Sequence, residues 1–422
     1  MKVYLDTVGC RLNQAEIESM ARQFRAAGHE IAGSPQEADL AVVNTCAVTD
    51  EAASDSRQKV RQVAGLGVEQ VVVTGCWATL QPQPAAALPG VVRVVPNERK
   101  DRLVPELLQL PLDRFDLEPL ARTPLPGLHR RTRAFIKVQD GCDNRCTFCV
   151  TTVARGPGRS RTLEAVLAEI RAALAGGAVE IVLTGVHLGS WGYDFGVSLR
   201  QLVSAILSET DAPRVRLSSL EPWDLDAGFF ALWENPRLCR HLHLPLQSGC
   251  AATLRRMARK TTPESFRHLA AAAREIVPEV AITTDVIAGF PGETADEFSE
   301  SLAFVSALDF AGGHGFSYSA RPGTAAARMS GQVPPALRKA RNAEYRSTFA
   351  ASARAYREKF IGRTLRVLWE STTQLDEYGW QMEGWSDNYL RVQASAVAPM
   401  WNQLSSVKIT GTSGQGLAGI IL

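Results

Sequence analysis

The sequence contains no apolar run that approaches the roughly 20 residues of a membrane-spanning helix. Its first residues, MKVYLDTVGC, lack the apolar core of a secretion signal, so we expect a cytoplasmic protein. Charge is nearly balanced, with 46 Lys and Arg against 44 Asp and Glu, which excludes a global positive field as the means of binding nucleic acid. Neither repeats nor low-complexity tracts occur, and 422 residues are expected to form two or three globular domains.

The eight cysteines are interpreted as thiols or metal ligands, because disulfides are rare in a reducing compartment. Three of them, Cys142, Cys146 and Cys149, lie in one short loop after a predicted strand at Ala134–Val138. A disulfide between any two of them would strain so short a loop. A zinc site would need a remote fourth ligand, because this loop contains no further Cys or His. An iron–sulfur cube on these three thiolates would keep one iron open for another ligand.

Three more cysteines follow predicted strands of the N-terminal region. The strands are Val3–Leu5, Leu40–Val43 and Val71–Val73, and each is followed shortly by a cysteine: Cys10, Cys46 and Cys76 respectively. In an open parallel sheet the carboxyl ends of the strands share one edge, so these thiols are expected to converge on a ligand site. The alternative is that each cysteine is only a small buried hydrophobic residue.

Periodicity divides the chain into four regions. Residues 1–112 alternate strands and helices as in an open, flavodoxin-like α/β domain, and residues 113–130 form a Pro-containing linker. Residues 131–360 repeat a strand–helix pattern six times, which predicts a partial (β/α)6 barrel and a final basic helix over 335–360. Residues 361–422 contain five short alternating runs, typical of a small all-β barrel. The barrel strands are expected at Ala134–Val138, Glu180–Leu183, Arg214–Ser218, His241–Leu246, Ile282–Ile287 and Gly315–Tyr318.

Nine segments, in this order, resemble those of the radical S-adenosylmethionine (SAM) methylthiotransferase family along almost the whole chain. They are TVGCRLNQAE, VVNTCAVTDEA, VVVTGCWA, FIKVQDGCDNRCTFC, EIVLTGVHLGSWG, RLSSLEP, HLHLPLQSGC, TDVIAGFPGET and FSYSARPGTAAARM. The family has an N-terminal domain with a second cluster and a C-terminal TRAM barrel. The segment TCAVTDEAASDSRQ is most similar to the branch that modifies N6-threonylcarbamoyladenosine in tRNA. The isopentenyladenosine branch, the branch acting on a ribosomal protein aspartate, and a non-catalytic metal- and RNA-binding protein are the alternatives.

The resemblance implies two 4Fe-4S clusters and SAM as cofactors. Cys142, Cys146 and Cys149 are similar to the ligands of the SAM-binding cluster, and Cys10, Cys46 and Cys76 to those of the auxiliary cluster. The implied reaction replaces the C2 hydrogen of adenine 37 with a methylthio group, chemistry that side-chain acids and bases do not supply. The implied partners are the anticodon stem-loop of tRNA and an electron donor such as flavodoxin or ferredoxin, with no membrane and no DNA.

Candidate SAM contacts lie at predicted strand ends, while no catalytic side chain is assigned. The candidates are Thr184, Gly185, Ser218, Glu221, His243, Gln247, Gly289 and Arg321. Glu221 is expected to bond a ribose hydroxyl or merely to begin a helix, and His243 to contact SAM or to be an interior histidine. Gly289 suits close approach to the adenosine, although turn formation is the simpler role.

Basic residues are concentrated in two stretches. Residues 130–161 contain eight Lys and Arg against two Asp, and the 335–360 helix contains seven against two Glu. Residues 361–422 carry a net charge of −1, which is weak for RNA binding by counterion release. We therefore expect phosphate contacts from the two basic stretches, with a solvated helix face as the alternative for the second.

Overall fold

The computed structural model describes residues 1–115, 122–123, 132–377 and 379–422. The chain divides into two compact units. The first contains Met1–Asn144, Cys149–Ala178 and Leu183–Val186, and the second contains Arg145–Phe148, Val179–Val182 and His187–Leu422. Most of the predicted linker over 113–130 lies outside the described residues. Within the described ranges, no helix is both long and apolar enough to cross a membrane.

The first unit begins with a five-stranded, all-parallel sheet of order β2-β1-β3-β4-β5, which confirms the three predicted strands and adds two. Its elements are β1 (Lys2–Thr7), α1 (Arg11–Ala26), β2 (Glu30–Ile31), β3 (Leu40–Thr45), α2 (Asp50–Gly65), β4 (Val71–Gly75), α3 (Cys76–Leu80), α4 (Pro82–Ala86), β5 (Val91–Val95) and α5 (Leu103–Leu108).

The central strands β3 and β4 are buried along their whole length, as expected for parallel strands covered on both faces. Helix α1 packs Ile17, Met20 and Phe24 into one core, following helical periodicity. Helix α2 begins where the Thr49 hydroxyl accepts a hydrogen bond from the Ala52 N–H at 3.0 Å. Helices α1 and α2 pack against the sheet and so stabilise the edge at which its strands end.

The remainder of the first unit contains the segments that precede and follow the three-cysteine loop in the sequence. Its elements are β6 (Arg133–Lys137), β7 (Gln139–Asp140), α6 (Thr151–Arg155), β8 (Arg159–Ser160), α7 (Leu163–Ala175) and the C-terminal end of β9 (Glu180–Thr184). The short antiparallel pair of β7 and β8 joins the two sides of the loop. The Val138 N–H donates to the Thr184 carbonyl at 2.9 Å, which aligns the ends of β6 and β9.

The second unit contains the rest of the expected partial barrel. Its elements up to the long basic helix are α8 (Leu199–Glu209), β10 (Arg214–Leu217), α9 (Ala227–Phe230), β11 (His241–His243), α10 (Ala251–Arg256), α11 (Pro263–Ile276), β12 (Ala281–Ala288), α12 (Ala295–Ala307), β13 (Gly312–Ser317) and α13 (Pro335–Glu358). Isolated parallel bridges pair Val215 of β10 with Leu238 and Ser219 with His243 of β11, and β11, β12 and β13 form a parallel sheet. The predicted strand His241–Leu246 ends at His243, because Pro245 has no N–H to continue the ladder.

The last five strands form a closed barrel of order β14-β15-β16-β18-β17, as the alternating runs predicted. They are β14 (Thr364–Asp376), β15 (Gly379–Ser386), β16 (Arg391–Ala396), β17 (Leu404–Ser413) and β18 (Gly416–Ile421). Trp369, Met382 and Val407 are fully buried in its core. Trp369 is therefore a core residue of the barrel.

Candidate cofactor and metal centres

The N-terminal cysteines follow three adjacent parallel strands. Cys46 comes directly after β3, Cys76 directly after β4, and Cys10 three residues after β1. Because the sheet order places β1, β3 and β4 side by side, all three cysteines lie at one edge. Cys46 and Cys76 are buried, whereas Cys10 is exposed. Cys10 is also the N-cap of α1, where the helix dipole favours a thiolate.

Glycines permit this close approach. Gly9, immediately before Cys10, has a φ of 101°, and a Cβ there would lie 2.6 Å from the Cys46 Sγ. Gly75, immediately before Cys76, also has a φ of 101°, and its Cβ would lie 2.2 Å from the Thr45 carbonyl oxygen. A residue with a side chain would be strained at such φ values, so glycine is what allows the two chain segments to approach this closely. The motifs TVGC and VTGC therefore encode the geometry of the edge.

The three thiols act on one another electrostatically. Burial raises the pKa of Cys46 to about 11, and Cys10 and Cys76 add to the shift. Desolvation of its thiol also raises the pKa of Cys10, although the residue as a whole is exposed, while Arg155 opposes the shift. Nowhere in the described ranges are three His, Cys, Asp or Glu side chains arranged around a single metal ion. A cube differs from such an ion because each thiolate binds its own iron, and a set of three thiols suits it.

A buried ionic network lies beside this edge. The Arg155 guanidinium, at the end of α6, donates to Glu16 Oε1 and Asp140 Oδ1, each at 2.8 Å, and to Asn13 Oδ1 at 2.9 Å. Lys100 Nζ donates to Glu16 Oε2 at 2.8 Å. The side chains of Arg155, Glu16 and Lys100 are each only 2% exposed. Although burial opposes it, Arg155 and Lys100 hold the pKa of Glu16 well below its usual range, so this carboxylate is ionised.

Cys142 and Cys149 belong to the first unit and Cys146 to the second, and Cys142 and Cys146 each have neighbours within their own unit. In the first unit, the Cys142 N–H donates to the Gly156 carbonyl at 3.1 Å. In the second unit, Cys146 lies 3.6 Å from Arg259 Nη1. Cys142, Cys146 and Cys149 are all half-buried, so each cysteine is only partly shielded from solvent.

Arg259 is a buried cation beside Cys146. It donates from Nη1 and Nη2 to the two Glu221 carboxylate oxygens at 3.1 and 2.6 Å, and from Nη2 to the Pro245 carbonyl at 2.7 Å. Its guanidinium carbon lies 4.5 Å from the Trp223 ring centroid. Glu221 therefore orients Arg259 at the loop, a role that the sequence did not predict, while its proposed ribose contact stays a prediction.

The structure brings several predicted SAM contacts together at neighbouring strand ends. Ser219 forms a β-bridge with His243, next to Ser218. Gln247, whose φ is 73°, forms a β-bridge with Val286 on β12. Ser218 Oγ is buried and makes no hydrogen bond with any of the residues that the structure describes. A buried hydroxyl without a partner is costly, which fits a site that gains a polar ligand.

His243 belongs to a polar cluster on one face of the sheet. Its Nδ1 lies 3.0 Å from Thr283 Oγ1 and its Nε2 lies 3.3 Å from Asp285 Oδ2. His314 Nδ1 lies 3.5 Å from Asp285 Oδ1. The His314 ring stacks on the Phe316 ring, with the two ring centroids 6.2 Å apart. Although burial opposes it, hydrogen bonds from the two histidines hold the pKa of Asp285 well below its usual range. The structure gives His243 polar partners, and its contact with SAM remains a prediction.

The remaining candidates lie in tighter surroundings. Thr184 is buried at the end of β9, and Gly185 packs against Gln139. Gly289 packs against Arg338, since a Cβ there would lie 2.2 Å from Arg338 Cγ. Arg321 is buried in a turn where its carbonyl accepts from Thr324. The contact with Arg338 explains Gly289 by chain packing, whereas its proposed approach to the adenosine is still a prediction.

Sequence reasoning missed Arg259, Asp285 and Arg155. Asp285 was within reach, because the alternation along TDVIAGF places it on the same strand face as Thr283. Arg155 stands in VTTVARG, a segment too short to show a periodic signal. Nothing in the local sequence marks Arg259, because its partners come from distant segments.

Two family models match the chain. Residues 136–305 match the Radical SAM superfamily, and residues 2–96 match the family described as "Uncharacterized protein family UPF0004". The fold is similar to that of a radical S-adenosylmethionine methyltransferase, TsrM, from Kitasatospora setae. The TM-score is 0.59, with 16% identity and 77% of each chain covered. The partial barrel and its three-cysteine loop define a radical SAM enzyme.

Relatives cover nearly the whole chain. "Threonylcarbamoyladenosine tRNA methylthiotransferase MtaB" of Bacillus subtilis is 34% identical over 96% of this chain and 93% of its own length. "tRNA-2-methylthio-N(6)-dimethylallyladenosine synthase" of Maricaulis maris is 31% identical over 99% and 96%. The chain belongs to the radical SAM methylthiotransferase family, whose enzymes transfer methylthio groups with SAM and iron–sulfur clusters.

Proposed function

We propose that this enzyme attaches a methylthio group to C2 of N6-threonylcarbamoyladenosine 37 in tRNA. The observation that carries the proposal is the second cysteine set, because Cys10, Cys46 and Cys76 lie at one sheet edge in a chain that also has the three-cysteine loop. The choice of nucleoside follows the name of the Bacillus subtilis relative, which is a threonylcarbamoyladenosine tRNA methylthiotransferase. Modification of tRNA also makes the cytoplasm the expected location.

The cofactors, when bound, supply the radical and sulfur-transfer chemistry that the protein side chains lack. Cys142, Cys146 and Cys149 would hold the cluster that binds SAM, and Cys10, Cys46 and Cys76 the auxiliary cluster. Arg259 holds a buried positive charge beside Cys146 and is itself oriented by Glu221. The Ser218 hydroxyl is available to SAM as a hydrogen-bond donor or acceptor.

Contacts with tRNA are proposed at the exposed members of the two basic stretches. Arg341 is buried and donates to Glu293, and Arg155 is buried in its own ionic network, so neither reaches a phosphate. In the 335–360 stretch the exposed cations are Lys339, Arg346 and Arg354 on α13 and Lys359 directly after it. An external electron donor, such as flavodoxin or ferredoxin, is part of the proposal because the reaction consumes electrons that no side chain supplies.

Anaerobic turnover on purified tRNA tests this function. We expect the methylthio nucleoside from tRNA carrying the threonylcarbamoyl group, and none from tRNA carrying the dimethylallyl group. The Cys10→Ala, Cys46→Ala and Cys76→Ala triple variant is expected to cleave SAM without forming the product. Product only on the dimethylallyl tRNA would move the enzyme to the other branch, and no SAM cleavage would favour a metal- and RNA-binding protein.

A further inference from the structure

The buried network of the first unit carries a positive charge that its own carboxylates do not balance. Among the residues that the structure describes, its ions are three cations, Arg155, Lys100 and Lys137, and two carboxylates, Glu16 and Asp140, a formal excess of one positive charge. Two further charged groups from the same described residues touch the network at its rim, Arg159 on Asp140 and Asp101 on Lys137, and their charges cancel. Burying an unpaired charge is expensive, so an excess of this kind calls for a nearby anion.

The excess charge is directed toward the cysteine edge. Arg155 acts electrostatically on Cys10 and Cys76, and Lys100 acts on Cys76. Asn97 connects the residue before Arg155 to the cysteine edge. Its Nδ2 lies 3.6 Å from Cys76 Sγ and donates to the Ala154 carbonyl at 2.8 Å. The three thiolates are therefore the expected site of the anion that balances the positive charge of the network.

We propose that Arg155, assisted by Lys100, is a positioning residue that neutralises the cluster on Cys10, Cys46 and Cys76 and raises its reduction potential. The inference rests on the proposed function in placing a cluster there. An oxidised cube with three thiolates has a formal charge of about −1, which the excess positive charge matches. Reduction adds a further negative charge, and a buried cation stabilises the reduced form more than the oxidised form.

The segment after the three-cysteine loop would then also supply charge to the auxiliary cluster. Arg155 is six positions after Cys149 in the sequence, yet its hydrogen-bond partners Asn13 and Glu16 follow Cys10 on α1. The segment that continues from one cysteine set thus supplies the countercharge of the other. A surface cation would not serve, because solvent and salt would screen it.

The test is a redox titration of the auxiliary cluster, followed by electron paramagnetic resonance, in the full chain carrying Cys142→Ala, Cys146→Ala and Cys149→Ala. In that background, Arg155→Met is expected to raise the oxidised-to-reduced ratio about tenfold at a fixed potential, which is about 59 mV for a one-electron couple. Arg155→Lys keeps the charge and should stay within about threefold of the parent. Arg159→Met is the matched control, because Arg159 also pairs with Asp140 but is 47% exposed, and it should leave the ratio unchanged.

Glu16→Gln provides an independent sign test if Arg155→Met fails to fold. Removing this carboxylate leaves more uncompensated positive charge and is expected to shift the ratio about tenfold in the opposite direction. An unchanged potential in both variants, with the cluster intact, would overturn the proposal and leave the proposed function standing. Absence of any cluster on Cys10, Cys46 and Cys76 in the background chain would overturn both.

Discussion

Replacing Glu169 by Gln is expected to loosen helix α7 of the first unit. Glu169 is buried, with its side chain 4% exposed, and its carboxylate pairs with Arg122 and Arg161 and lies 3.7 Å from Arg22 Nη1. Burial opposes ionisation, but Arg122, Arg161 and Arg22 together lower the pKa of Glu169 to about 2 from its ordinary 4.5. The ionised carboxylate therefore stabilises the folded state.

The magnitude follows from that difference in pKa. A lowering from 4.5 to about 2 corresponds to about 3 kcal/mol, because each pH unit is worth about 1.4 kcal/mol. A lowered acid pKa stabilises the fold fully above the unfolded-state pKa, and the contribution is lost as the pH falls from about 4.5 toward 2. Gln at 169 removes the same charge at neutral pH, with about 3 kcal/mol as the upper bound.

Hydrogen exchange of the peptides covering Leu163–Ala175 measures this local stability. Glu169→Gln is expected to accelerate exchange there by up to roughly 200-fold, the factor that about 3 kcal/mol represents. The control is Glu164→Gln, an exposed carboxylate in the first turn of the same helix, for which less than about 1 kcal/mol is expected. Equal acceleration in the two variants would refute the assigned role of the three arginines.

Three further predictions concern the sites. Gly9→Ala forces a methyl group to 2.6 Å from Cys46 Sγ and should halve the iron content, whereas Gly67→Ala, at a similar positive φ but in open space, should retain it. Ser218→Ala should weaken SAM binding roughly fivefold, about 1 kcal/mol, in anaerobic calorimetry, while Ser208→Ala, which alters an exposed helix hydroxyl, should not. Asp285→Asn should lower the pKa of His314, which its hydrogen bond to Asp285 now raises, and nuclear magnetic resonance of labelled histidine would show no change if the pairing is absent.

Three strands of the first sheet and the cysteine edge were predictable because both follow from local patterns and a general rule. Buried apolar runs marked β1, β3 and β4, and parallel strands place their carboxyl ends on one edge. Convergence of Cys10, Cys46 and Cys76 then required no knowledge of side-chain contacts. The five-stranded barrel was predictable for the same reason, from alternation and turn residues.

Long-range polar partners were not predictable. Arg155 and Glu16 are 139 residues apart, and no periodicity relates them. Glu221 was expected to contact a ribose or to begin a helix, but its pairing with Arg259 depends on how two loops pack. Gly289 illustrates the same limit, because a positive φ was foreseeable from the turn, whereas its approach to Arg338 was not.

The most direct test of the two-cluster account is iron and sulfide analysis of the anaerobically reconstituted chain and its Cys10→Ala, Cys46→Ala and Cys76→Ala variant. Two cubes predict about eight irons per chain, falling to about four in the variant. About four irons in both proteins, or stoichiometric zinc in place of iron, would contradict the account.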